Sequence, residues 1–141
     1  MWALQITQAA FDTSVSGQCA QQAQFWLRQS NSLFKPTADM FPGDEDNGSM
    51  GAWFIFNTLG LAPLSPASGV YNLGAPLFAR VELAVAPGVL LVITAVNQAP
   101  GNVYVAGVTW NGAPVTGVTI PYADLMAGGT LEFTMSATMA A

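Results

Sequence analysis

Residues 42–78 read PGDEDNGSMGAWFIFNTLGLAPLSPASGVYNLGAPLF, and the chain changes character inside this stretch. Its first part carries three adjacent acids, Asp44, Glu45 and Asp46, between Gly43 and Gly48. An apolar run follows from Met50 to Ala62, with Asp46, Asn47 and Ser49 as cap candidates before it, Gly60 near its end and Pro63 just beyond. Those signals predict a helix. It is apolar on nearly all faces, which is the pattern of a fully buried helix. Past Pro66 the segments become short and rich in Val, Ile, Thr and aromatics: VYNLG, ARVELAVA, VLLVITAV, NVYVAGVTW, VTGVTI and TLEFTMSA. Turn signals separate them, and Asn111-Gly112 suits the two positive-φ positions of a tight hairpin turn. Residues 69–141 therefore read as five to six antiparallel strands in a sheet or small sandwich.

Ahead of the acidic loop, CAQQAQFWLRQSNSLF reads as an amphipathic helix. The fold class is thus α+β, with a helical segment over 1–66 and an antiparallel β region over 67–141. No internal repeat is present, and the Ala/Met tail SATMAA is expected to fray.

Composition narrows the functions. Of 141 residues, 52% are hydrophobic and only 8% charged, against about 25% charged in an ordinary soluble domain. No apolar run reaches the ~20 residues of a membrane span. Net charge is −5 with three basic residues, Arg28, Lys35 and Arg80, so nucleic acid finds no basic face. An anionic membrane surface is disfavoured on the same ground. The single cysteine, Cys19, makes no internal disulfide, and the absence of histidine removes Ser-His, Cys-His and His-zinc chemistry. The opening MWALQITQAAF lacks the basic start of a signal peptide. So apolar a chain fits a piece of something larger, whose uncharged surface is covered.

The acidic triplet admits several readings. In extended backbone, residues i and i+2 share a side, so Asp44 and Asp46 converge and Glu45 points away. Converging carboxylates hold a hard cation such as Ca²⁺ or perform acid–base work. From spacing alone the leading reading is plainer: a solvated acidic turn whose charge favours the N-terminus of the next helix. An EF-hand loop is excluded, because the glycine falls at the fifth place and Ile55 at the twelfth. Trp53, Phe54 and Phe56 at successive helical positions suit core packing better than a sugar platform, and Trp110 beside the Asn-Gly turn is a weaker carbohydrate candidate. A non-catalytic carbohydrate-binding β-module with a calcium-binding acidic loop is therefore the alternative to a catalytic role.

Several separated motifs in order resemble glycoside hydrolase family 92, the exo-acting α-mannosidases. Pro42 to Trp53 is similar to that family's P-G-[DN]-[DE]-D-x-G-x-M-x-[AS]-W core, and Leu59-Gly60 to the end of its buried helix. Tyr71 through Phe78 resembles its Y-x-[IL]-G-x-P-L-F segment, and NVYVAGVTWNGAPV and IPYADLMAGGTLEFTMS its closing strands. The resemblance spans about residues 39–136. Residues 1–38 match the family's preceding helices only at FWLRQ. Family members are several times longer, with an N-terminal β-sandwich and an (α/α)6 barrel, so residues 1–66 would be the barrel's last part.

The resemblance implies calcium-dependent, inverting hydrolysis of terminal α-mannose in α-mannoside glycans, in a secreted or periplasmic enzyme. Asp44 and Asp46 would then be the general-base carboxylates, with Asp46 also a Ca²⁺ ligand. The family's general acid is a glutamate well upstream. Glu82 and Glu132 lie in strands and Glu45 flanks the base, so none is a candidate. The missing N-terminal part of the same enzyme would be the partner, and this chain alone would be inactive.

Overall fold

Helix α1 (Ser49–Thr58) is the element on which the acidic loop is mounted. In the computed structural model the described residues are 28, 31–38, 40–45, 47–65 and 67–139. The expected helix over 19–34 lies outside them, apart from Arg28 and a 3-10 turn at Asn31–Leu33 with Phe34 after it. α1 stops at Gly60. That residue takes φ 77°, and its N–H donates to the Asn57 carbonyl at 3.1 Å. A Cβ there would stand 2.9 Å from Pro76 Cδ and 3.0 Å from the Pro76 nitrogen. Glycine is required twice over, for the left-handed turn and for the close approach of residue 76.

The chain then runs directly into strand β1 (Leu61–Ala62), which pairs antiparallel with β2 (Val70–Leu73). Strands β3 (Arg80–Ala86) and β4 (Val89–Val96) form a hairpin. Strand β5 (Tyr104–Trp110) turns through Asn111 and Gly112 into β6 (Ala113–Pro114), and both turn residues have positive φ, 49° and 81°. That is the turn the Asn-Gly pair calls for. Strand β7 (Thr119–Pro121) returns to pair with β2, helix α2 (Tyr122–Ala127) follows, and β8 (Gly129–Ser136) closes the chain. The result is a three-stranded sheet in order β1-β2-β7 and a five-stranded sheet in order β3-β4-β8-β5-β6.

The α+β class holds, with two refinements. β8 lies parallel to β4, Leu91 opposite Gly129 through Val96 opposite Thr134, while every other pairing is antiparallel. A parallel neighbour needs a crossover, and the long excursion through β5, β6, β7 and α2 supplies it. Helix α2 itself stands where the sequence reads as closing strands.

Strand alternation builds the core. Leu91, Ile93 and Ala95 of β4 and Leu131, Phe133 and Met135 of β8 are buried on one face. They meet Leu59, Leu61, Leu73, Ile120 and Leu125 from the helix end, the small sheet and α2. Each fully buried large side chain contributes roughly 1.5–3 kcal/mol. The opposite face carries polar pairs: Arg80 bridges exposed Glu82 at 2.6 Å, and Thr94 Oγ1 donates to Glu132 Oε2 at 3.4 Å. Helix α1 departs from the full burial its composition predicts. Asn57 and Thr58 are buried, but Ile55 is 58% exposed, and Leu33 and Met40 before the helix are exposed as well.

Arg28 ties the segment ahead of α1 to the sheets. Its Nη1 donates to the carbonyls of Pro76 and Asn102 and to Gln98 Oε1, at 3.1 to 3.3 Å. Gln98 Nε2 donates in turn to the carbonyls of Pro76 and Leu77. Burial pulls the Arg28 pKa down from its ordinary value, yet a guanidinium stays charged in proteins. Among the described residues its partners are carbonyl oxygens and not a carboxylate.

Candidate functional site

The two described carboxylates of the acidic loop stand in different surroundings. Backbone through Asn47 and Gly48 takes positive φ, 60° and 90°, and turns the chain into α1. Gly48 sits at the helix start and has no side chain with which to cap it. Glu45 does so from outside the helix. The Gly51 N–H donates to both of its carboxylate oxygens, at 3.3 Å to Oε1 and 3.2 Å to Oε2, and the Met50 N–H donates to the Glu45 carbonyl at 3.2 Å. A carboxylate here also meets the positive end of the helix dipole. Among the described residues the cap comes from Glu45 and not from Asn47 or Ser49, while the third candidate, Asp46, lies outside them. The Glu45 signal was faint, because the usual capping box places the glutamate after the cap and not before it.

Asp44 is exposed at the loop's surface, next to half-buried Glu45. The only ion pair among the described residues joins Arg80 to Glu82, far along the chain. Asp46 lies outside the described residues, so its convergence with Asp44 does too. Among the described residues no three side chains of the metal-ligating types cluster.

Aromatic rings support the loop from below. Phe34 stacks on Trp53 with centroids 5.5 Å apart and planes at 15°, meets Phe54 at 4.7 Å, and takes the edge of Phe41 at 6.2 Å. Phe41 immediately precedes the Pro-Gly of the loop, so the loop's entry and the first turns of α1 share one anchor. Phe56 packs instead against Tyr71 at 5.4 Å. The three aromatics of α1 thus serve as packing, as their spacing indicates. Trp110 is half-buried and packs on the core. Glu82 and Glu132 stand on the outer face of the large sheet, engaged by Arg80 and Thr94.

A groove of about 210 Å³ runs along α1, lined by Ser49, Ala52, Trp53, Phe56, Asn57 and residues 61–64. It starts beside the acidic loop at Ser49 and ends at Pro63. Beyond Pro63 a second cavity of about 320 Å³ is lined by Gly69, Val70, Tyr71 and Tyr122. The tyrosines at this far end carry no sequence signal of their own, because β2 and the start of α2 meet only in the fold.

Comparison with known proteins gives a consistent set of relatives. Residues 8–137 match the glycosyl hydrolase family 92 catalytic domain. An uncharacterized secreted glycosidase of Arthroderma benhamiae is 34% identical over 107 residues, which is 74% of this chain and 14% of that protein. A family GH92 α-mannosidase of Bacteroides thetaiotaomicron superposes with a TM-score of 0.81 at 29% identity, over 96% of this chain and 17% of that one. A family GH92 inverting mannosidase of the same organism gives 0.82 at 29% identity, over 94% of this chain and 18% of its own. The chain spans less than a fifth of the length of each of these relatives. It belongs to glycosyl hydrolase family 92 and covers a C-terminal part of that family.

Proposed function

We propose that this chain is the C-terminal part of an inverting exo-α-mannosidase and that its acidic loop carries the general base. The observation that carries the reading is the division of labour in the loop. Glu45 is committed to the N-terminus of α1, while Asp44 stands exposed on a backbone anchored by that bond and by the Phe34 cluster. A base that activates water must be positioned yet open to solvent, and an inverting hydrolase sets it back from the sugar to leave room for that water. Asp44 and Asp46 are the base carboxylates in this reading.

The exposed apolar residues Leu33 and Met40 ahead of α1 and Ile55 on it fit a surface that the rest of the catalytic domain covers. The general acid then comes from that remainder. Ca²⁺ belongs to the same proposal. It takes six to eight oxygens, and the loop offers hard oxygen donors, with Asp46 as the ligand. Glu45 already accepts from the Gly51 N–H, and a full set of six to eight oxygens needs donors beyond this loop. Bound there, the cation would polarise the sugar hydroxyls.

Two assays test the reading. The purified 141-residue chain releases no mannose from an α-mannoside, and measurable release would overturn the divided site. A full-length family 92 enzyme carrying residues 42–54 of this chain liberates β-mannose first, followed by ¹H NMR of the anomers. First appearance of the α-anomer would exclude inversion.

A further inference from the structure

The cavity beyond Pro63 lies outside the loop chemistry. Backbone pairing fixes its two tyrosines. Tyr71 lies in β2 opposite Ile120 of β7, and the Tyr122 N–H, just past β7, donates to the Gly69 carbonyl at 2.9 Å. Their rings stand 6.0 Å apart with planes at 29°, within the range of offset stacking. Phe56 of α1 packs behind Tyr71, so the pair is backed by the helix that carries the acidic loop. Tyr122 is 48% exposed. Burial, with a smaller contribution from Tyr122, raises the Tyr71 pKa, and a phenol is in any case a neutral hydrogen-bond donor at neutral pH. Among the described residues none that lines the cavity is charged.

We propose that Tyr71 and Tyr122, with Pro63, form a carbohydrate subsite that takes one neutral pyranose of a mannose-containing glycan, separate from the acidic loop. An uncharged hollow with aromatic faces, a proline and phenolic hydroxyls matches a sugar ring, which offers a C–H face to the aromatics and hydroxyls around its rim. A charged ligand would find no counter-charge among the described lining residues. Pro63 also lines the groove that starts at Ser49, so one extended glycan could lie along α1 from the loop to the tyrosines. The occupant rests on the glycan-active reading above, whereas the separate position does not require Asp44 to be the base.

The test is saturation-transfer NMR on the full chain with an α-mannobiose as the probe. Saturation of the tyrosine ring protons should reach the sugar. Tyr122→Ala should weaken binding roughly fivefold or more, the scale of one aromatic face, with an unchanged thermal melt. Tyr122→Phe should retain most of the binding. Equal binding by wild type and Tyr122→Ala overturns the subsite, as does no transfer in the wild type. Transfer that reaches the sugar from Trp53 of the α1 groove and not from the tyrosines would put the sugar beside the loop and overturn a separate site. Failure of the base assignment would appear elsewhere, as retained turnover by Asp44→Asn in the full-length enzyme.

Discussion

Asp44 and Glu45 are neighbours with the same chemistry and different surroundings. Glu45 is held by the Gly51 N–H, so its loss should loosen the start of α1. Glu45→Ala is expected to cost about 0.5–2 kcal/mol, the range for a lost helix cap, read as a lower thermal midpoint. Glu45→Gln keeps an acceptor oxygen and should recover part of it. Equal midpoints for wild type and Glu45→Ala would show that the contact carries no stability. The sequence made the triplet visible but not its assignment. Alternation in an extended strand sends Glu45 away from Asp44, yet which carboxylate then meets the helix depends on the left-handed turn at Asn47 and Gly48, and asparagine announces such a turn only weakly.

At the scale of elements, α1 and β2 share the join around Gly60 and Pro76. Gly60→Ala combines a positive φ with contacts of 2.9 and 3.0 Å to residue 76. It should destabilise the fold by more than about 2 kcal/mol, beyond the ~1 kcal/mol typical of a point mutation, and an unchanged denaturant midpoint would contradict that packing. Tyr71 gives a pH signature. Its pKa is raised in the fold, so the folded state holds the proton longer. Its stabilising contribution is complete below the ordinary value of about 10 and lost as pH rises past it. Tyr71→Phe should flatten that alkaline loss of stability, and identical alkaline slopes would count against it. Local elements were the legible ones. Asn111-Gly112 named its own turn, and the Val, Ile, Thr and aromatic content of VLLVITAV and TLEFTMSA marked β4 and β8 as strands. The parallel pairing of those strands was not legible, because it depends on a distant crossover. The six residues of α2 are too short to display a helical period.

For the whole molecule, the low charge and the exposed apolar residues have one physical meaning. Leu33, Met40, Ile55 and Phe78 face solvent on a chain that matches under a fifth of its relatives' length. Alone, the chain should self-associate with rising concentration in light scattering, and a monodisperse monomer throughout would argue that these residues need no cover. Here the sequence was informative through its family motifs, since composition indicated burial without saying against what. The central claim is that Asp44 and Asp46 do chemistry while Glu45 holds the loop. It is tested most directly by kcat for α-mannoside hydrolysis in a full-length family 92 enzyme carrying residues 42–54 of this chain. Asp44→Asn with Asp46→Asn should lower kcat by roughly 10²–10⁴-fold, the span of general base catalysis, at an unchanged melting temperature, with Glu45→Gln far less affected. Near-normal turnover in the double variant, or an equal loss in Glu45→Gln with the fold intact, would contradict it.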